Sequence, residues 1–125
     1  MIFNWDDFRE LAEELRERET EAAKRTAISR VYYAVYWKAR IFLEDEGFIF
    51  RHNDSSHRQI WEEYKNKGLT FRGISISGSD LHRNRVQADY FSEIKDLEVL
   101  LKESFKLAGN AFKYLQQIEQ KTQNQ

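Results

Sequence analysis

The absence of proline is the feature that most restricts how this chain can fold. None of its 125 residues is proline, whereas an average usage near 5% would give about six. Proline ends or kinks helices, because its ring removes a hydrogen-bond donor and clashes with the preceding turn. A chain without it suits a protein that is helical almost throughout. We therefore predict a single all-α domain over residues 1–125.

Apolar residues recur at helical spacing in the first half of the chain. A first helix is expected after Asn4, which can cap it, and a second over residues 21–46. The second is apolar on more than one side, which is typical of the central helix of a bundle. A short third helix is expected to begin at Ser55 or Ser56 and to end at Gly68.

The second half predicts two more helices. Residues 69–79 are rich in Gly and Ser and are predicted to form a loop. A fourth helix is expected from near residue 77 or 79 to about Tyr90. Ser92 can cap a long fifth helix over residues 93–120. Together these segments predict an up-and-down bundle of about five helices.

Composition excludes several classes of protein. There is no cysteine, so disulfides and thiolate metal sites are excluded. No apolar run approaches the roughly 20 residues that span a bilayer, and the first residues lack the basic and apolar regions of a signal peptide. We expect a cytoplasmic protein without membrane association. Neither a Gly-rich phosphate loop nor a helical metal-ligand spacing of histidines is present, so we predict no cofactor and no metal.

The densest polar cluster lies in residues 82–90. On a helix, His82, Arg85 and Asp89 share one face, whereas Arg83 and Tyr90 share another. The cluster ends a stretch, residues 51–85, that holds seven basic and four acidic residues, although the whole chain has a net charge of −1. One interpretation is a solvated or interface helix with a modest ion pair. The other is an anion site in which guanidinium groups bind phosphate.

The second helix carries five large aromatic residues: Tyr32, Tyr33, Tyr36, Trp37 and Phe42. Such residues belong to a core or a dimer interface more often than to a base-stacking surface. Their number exceeds what one small core buries easily, and we therefore predict a homodimer.

Three stretches resemble the motifs of a known family. The first is Ala-Ile-Ser-Arg-Val-Tyr-Tyr-Ala-Val-Tyr at residues 27–36, the second is Ser-Ser-His at 55–57, and the third is Arg83-Asn84 followed by Ala-Asp-Tyr at 88–90. They resemble the HEPN domains, small helical bundles of prokaryotic toxin–antitoxin and defence systems, some of which act beside minimal nucleotidyltransferases. The resemblance implies RNA or a nucleotide as ligand, a nucleotidyltransferase as partner protein and a dimer. The residues that it implies for binding RNA or phosphate are Arg83, Asn84, Arg85 and Tyr90.

One departure from the family pattern bears on catalysis. HEPN ribonucleases carry an arginine and a histidine with four to six residues between them, and no histidine follows Arg83 or Arg85 at that spacing. Ala88 stands where the toxin branch has its histidine. A proton-transfer group typically contributes about 10²–10⁴ in rate, so we expect little or no ribonuclease turnover. His82 and Asp89 are the candidates to replace the missing histidine.

Three hypotheses for function follow. The first is a non-catalytic RNA- or nucleotide-binding component of a toxin–antitoxin or defence module that acts with a nucleotidyltransferase. The second is a metal-independent ribonuclease with a non-standard site. The third is a purely structural accessory subunit. The missing histidine favours the first and the third. The basic stretch favours the first and the second.

Overall fold

The computed structural model describes residues 1–123, which form five helices and no strand. The helices are α1 (Asp6–Arg16), α2 (Glu21–Asp45), α3 (Ser56–Lys65), α4 (Leu69–Tyr90) and α5 (Leu97–Gln123). Helix α2 contacts all four others, and α4 packs against α2, α3 and α5. The predicted all-α bundle with a central second helix is therefore confirmed.

Within the residues that the structure describes, no helix combines the length and the apolar character needed to cross a bilayer.

Local signals account for the limits of α2 and the start of α3. The Thr20 hydroxyl accepts a hydrogen bond from the Ala23 N–H at 3.2 Å, as the first turn of a helix requires. After α2, Gly47 adopts a φ of 93°, which favours glycine and ends the helix as predicted. The Ser55 hydroxyl caps α3 by accepting from the Arg58 N–H at 3.3 Å.

The predicted loop over residues 69–79 is wrong, because α4 begins at Leu69. Gly68 does not end α3, which stops at Lys65, but precedes α4 with a φ of 117°. The small residues in this stretch allow neighbouring helices to approach closely. A Cβ on Gly78 would lie 2.4 Å from the ring of Trp61 on α3, and one on Gly73 would lie 2.7 Å from the ring of Tyr114 on α5.

The fifth helix also begins later than predicted. It starts at Leu97 and not at residue 93, and Asp96 caps it in place of Ser92. The Asp96 carboxylate accepts a hydrogen bond from the Val99 N–H at 3.2 Å. A carboxylate at this position also interacts favourably with the positive end of the helix dipole.

We predict that Gly78→Ala destabilises the protein by about 1–3 kcal/mol, because the new methyl group would overlap the buried Trp61 ring. Gly109→Ala on α5 is the matched control, since its Cβ meets nothing within 4 Å. That change is expected to raise the free energy of unfolding by about 0.4–1 kcal/mol. Urea unfolding of both variants measures the difference. Equal effects of the two changes would contradict the close α3–α4 approach.

Candidate functional site

The three stretches that carry the HEPN resemblance meet where α4 faces α2 and α3. From the first stretch, Tyr36 lies 4.4 Å from the ring of His57 in the second stretch. His57 in turn stacks on His82, which adjoins the third stretch, with 4.8 Å between ring centroids and 12° between planes. Ser29 donates a hydrogen bond to the Asp89 carboxylate at 3.1 Å. Residues distant in sequence therefore share one site.

His57 and His82 form a half-buried pair, which we call the histidine pair. The Tyr32 hydroxyl and Nδ1 of His57 share a hydrogen bond of 2.5 Å. Burial raises the pKa of Tyr32 above its ordinary value, so the tyrosine keeps its proton. The tautomer of His57 decides which of the two groups donates.

Both members of the histidine pair are neutral at pH 7. Burial, with the neighbouring His82, Arg85 and Arg40, lowers the pKa of His57 from 6.5 to about 4. Burial, with Arg85 and Arg83, also lowers the pKa of His82. A neutral imidazole can accept a proton, but it is poorly suited to donate one as a general acid at neutral pH.

Beside the histidine pair, aromatic rings and guanidinium groups alternate across the surface. The guanidinium of Arg30 lies 4.8 Å from the ring of Phe8 and 5.3 Å from that of Tyr33. The guanidinium of Arg85 lies 4.9 Å from Tyr33 and 5.6 Å from Tyr90. All four distances are within the range of cation–π attraction. We call this series, Phe8–Arg30–Tyr33–Arg85–Tyr90, the arginine–aromatic ladder.

The predicted pair Arg85–Asp89 forms and holds the ladder in place. Nε of Arg85 donates to the Asp89 carboxylate at 2.8 Å, and the same carboxylate oxygen accepts from Ser29 on α2. The Arg85 side chain is only 13% exposed, so its guanidinium plane is fixed rather than mobile. Asp89 thus orients the arginine of the ladder.

Asn84 lies inside the bundle. Only 6% of it is exposed, and its amide donates to the Ser104 hydroxyl at 3.1 Å and to the Glu103 carboxylate at 3.4 Å. These contacts join α4 to α5. Asn84 therefore orients the helix and is not part of the ladder surface.

Arg83 and His82 line a different feature, a cleft of about 500 Å³ between α3 and α4. The Arg83 side chain is 70% exposed and forms an ion pair with Asp80. Because residues 83 and 85 lie about 200° apart around the helix, the two predicted phosphate-binding arginines face different surfaces. Both arginines act electrostatically on His82.

Ala88 is 3% exposed and faces the core. Its carbonyl accepts a hydrogen bond from the Arg25 guanidinium at 3.2 Å, and the same guanidinium bonds the carbonyl oxygens of Phe91 and Ser92. Arg25 therefore donates hydrogen bonds to carbonyl groups at the end of α4, which lack partners within the helix. Nothing in the local sequence pairs Arg25 with this helix end.

Two functional features were missed from the sequence. The stacking partner of His82 is His57, and the partners of Arg85 include Tyr33. The only signal for His57 was its place in the Ser-Ser-His stretch. Over the described range 1–123 no group of three metal-ligating side chains occurs, and no metal is assigned.

Comparisons of the chain with protein-family models, with curated proteins and with solved structures found no match. Membership of the HEPN family stays a prediction that depends on the three stretches themselves.

We predict that stability falls as the pH is lowered from about 6.5 to about 4. In that window the unfolded chain binds a proton at His57 that the folded protein excludes, so protonation favours unfolding. Thermal unfolding of His57→Asn should show a weaker pH dependence of Tm. His52→Asn is the control, because His52 is exposed and outside the cluster, and it should keep the wild-type dependence. Parallel curves for wild type and His57→Asn would contradict the prediction.

We further predict that Ala88→His does not restore a ribonuclease but destabilises the fold by about 1–3 kcal/mol, since the imidazole would enter a filled core. Tyr90→His serves as the control, because Tyr90 is 70% exposed and surface changes usually stay within about 0.5 kcal/mol. Urea unfolding compares them. A stable Ala88→His protein that cleaves RNA in EDTA would overturn this account.

Proposed function

We propose that the chain is a HEPN-type module that binds single-stranded RNA without cleaving it. The observation that carries the proposal is the arginine–aromatic ladder, in which two guanidinium groups alternate with three rings. Single-stranded nucleic acids are bound by surfaces of this kind, where bases stack on aromatic side chains and cations contact phosphates. Tyr90, which is 70% exposed, offers an open ring face at one end.

The placement of charge supports binding more than catalysis. Arg85 is held by Asp89 and by two rings, an arrangement that fixes a planar donor for phosphate. No imidazole occupies position 88, and the carboxylate of Asp89 is engaged by Arg85 and Ser29. The remaining candidate, His82, lines the α3–α4 cleft and not the ladder, so the expected ribonuclease activity is low.

Two further parts of the proposal come from the HEPN resemblance. One is a homodimer, to which the partly exposed Trp37 on α2 would contribute. The other is a role in a toxin–antitoxin or defence module together with a nucleotidyltransferase.

We predict that Tyr90→Ala weakens RNA binding by about 1–3 kcal/mol, the usual value of a base stacked on an aromatic ring. Tyr90→Phe keeps the ring and should retain the affinity. Fluorescence anisotropy with a labelled single-stranded RNA measures both, and circular dichroism verifies the fold. Equal affinity of the alanine and phenylalanine variants would exclude stacking on Tyr90.

Arginine variants complete the experiment. Arg85→Ala should weaken binding and reduce its dependence on salt, as expected when a phosphate contact is lost. Arg72→Ala is the matched control: it is exposed on the same helix, about 20 Å from Arg85 at ~1.5 Å per residue. If Arg85→Ala leaves binding unchanged, the proposed surface is wrong. Cleavage of the RNA in EDTA would favour the ribonuclease hypothesis instead.

A further inference from the structure

The cleft between α3 and α4 is separate from the arginine–aromatic ladder and has the dimensions of a ligand site. Its volume of about 500 Å³ lies within the range of small-molecule pockets, about 300–1,000 Å³. Ser75 and Ser79, one turn apart on α4, leave it open because larger side chains there would fill it. The buried Trp61 forms part of its wall.

Basic side chains line this cleft. Arg58 and Lys65 from α3 and Arg83 from α4 line it, with Glu62 as the one lining carboxylate. Glu62 lies 3.7 Å from Arg58, which is also paired with Asp54. Lys65 makes no ion pair among the described residues, so an uncompensated ammonium group is present at the rim.

His82 gives the cleft a group that titrates. Its ring lines the cleft and packs on His57 from α3 and on Tyr32 from α2, at 4.8 and 5.3 Å. The charged groups that act on the histidine pair are Arg40 from α2 and Arg83 and Arg85 from α4, all of them cationic. Tyr33 and Tyr36 also adjoin His57. The nearby carboxylates Asp80 and Asp89 are paired with Arg83 and Arg85.

We infer that the α3–α4 cleft binds a small phosphomonoester, and that binding is accompanied by the uptake of a proton on His82. A dianion in the cleft places negative charge beside a ring that packs on neutral rings and lies near the arginines Arg83 and Arg85. An opposite charge at short range favours the charged form of a titrating group. The imidazolium then donates a charge-assisted hydrogen bond that the neutral ring cannot supply as strongly.

The two events are thermodynamically linked. The proton binds more tightly when the anion is present, so the anion binds more tightly when the proton is present. Affinity for an anion that stays doubly charged, such as sulfate, should therefore rise as the pH falls from about 7 to about 6, whereas a phosphomonoester itself gains a proton near pH 6. The ligand supplies the negative charge and the solvent supplies the proton. Apart from the N–H bond on His82, no covalent bond is formed or broken.

Isothermal titration calorimetry tests the inference. The probes are adenosine 5′-monophosphate and inorganic sulfate. Sulfate keeps both negative charges over the whole range, so any proton uptake on sulfate binding comes from the protein. Titrations at about pH 6 in buffers with different ionisation enthalpies give the number of protons bound. We expect a fractional uptake with sulfate. Tighter binding of the nucleotide than of sulfate would identify a nucleotide ligand, and equal binding a site for phosphate alone.

Variants assign the effect to the cleft. His82→Asn should abolish the proton uptake and weaken binding about tenfold, and Lys65→Ala should weaken binding about tenfold while leaving proton uptake in place. His52→Asn is the matched control, because His52 is exposed and does not line the cleft, and it should behave as wild type. The absence of heat with both probes at millimolar concentration, or unchanged uptake in His82→Asn, would overturn the inference. Tyr90→Ala and Arg85→Ala report on the RNA surface separately, so either proposal can fail alone.

Discussion

The hydrogen bonds of the buried tyrosines hold α3 against α2. Each hydroxyl has a partner: Tyr32 bonds with His57, Tyr36 bonds with Ser56 at 2.8 Å, and Tyr64 donates to the Ala39 carbonyl at 2.7 Å. Helix α3 otherwise contacts α2 little and packs mainly on α4. Since a buried hydroxyl without a partner costs about 1–3 kcal/mol, these bonds fix the position of α3, and with it the histidine pair and the cleft.

Some interactions over short sequence distances were predicted correctly, although the Ser92 cap was not. The cap at Ser55 and the pair Arg85–Asp89 follow from spacing alone, because each involves residues three or four apart. The start of α4 could not be predicted in that way. Gly73 and Gly78 break helices in isolation, and they are tolerated here because aromatic rings from α5 and α3 occupy the space beside them.

The candidate site shows the same difference between short-range and long-range interactions. Spacing predicted which residues of 82–90 share a face of the helix, but not what each face meets. His57, which stacks on His82, lies 25 residues earlier in the chain, and Tyr33, which contacts Arg85, lies earlier still. Asn84 was expected at the ligand surface and is buried against Ser104 on α5. Such pairings depend on how helices pack, which periodicity does not specify.

Helix α4 separates two surfaces, and an arginine on each of them acts on His82. The ladder on one side contains Arg85, the cleft on the other contains Arg83, and His82 is influenced by both arginines. Burial is the main reason that the histidine pair is neutral, and the positive charge of the arginines adds to it. Because the pair is half-buried, that charge is screened less than on an open surface. The protonation of His82 therefore depends on charged groups on both faces of α4.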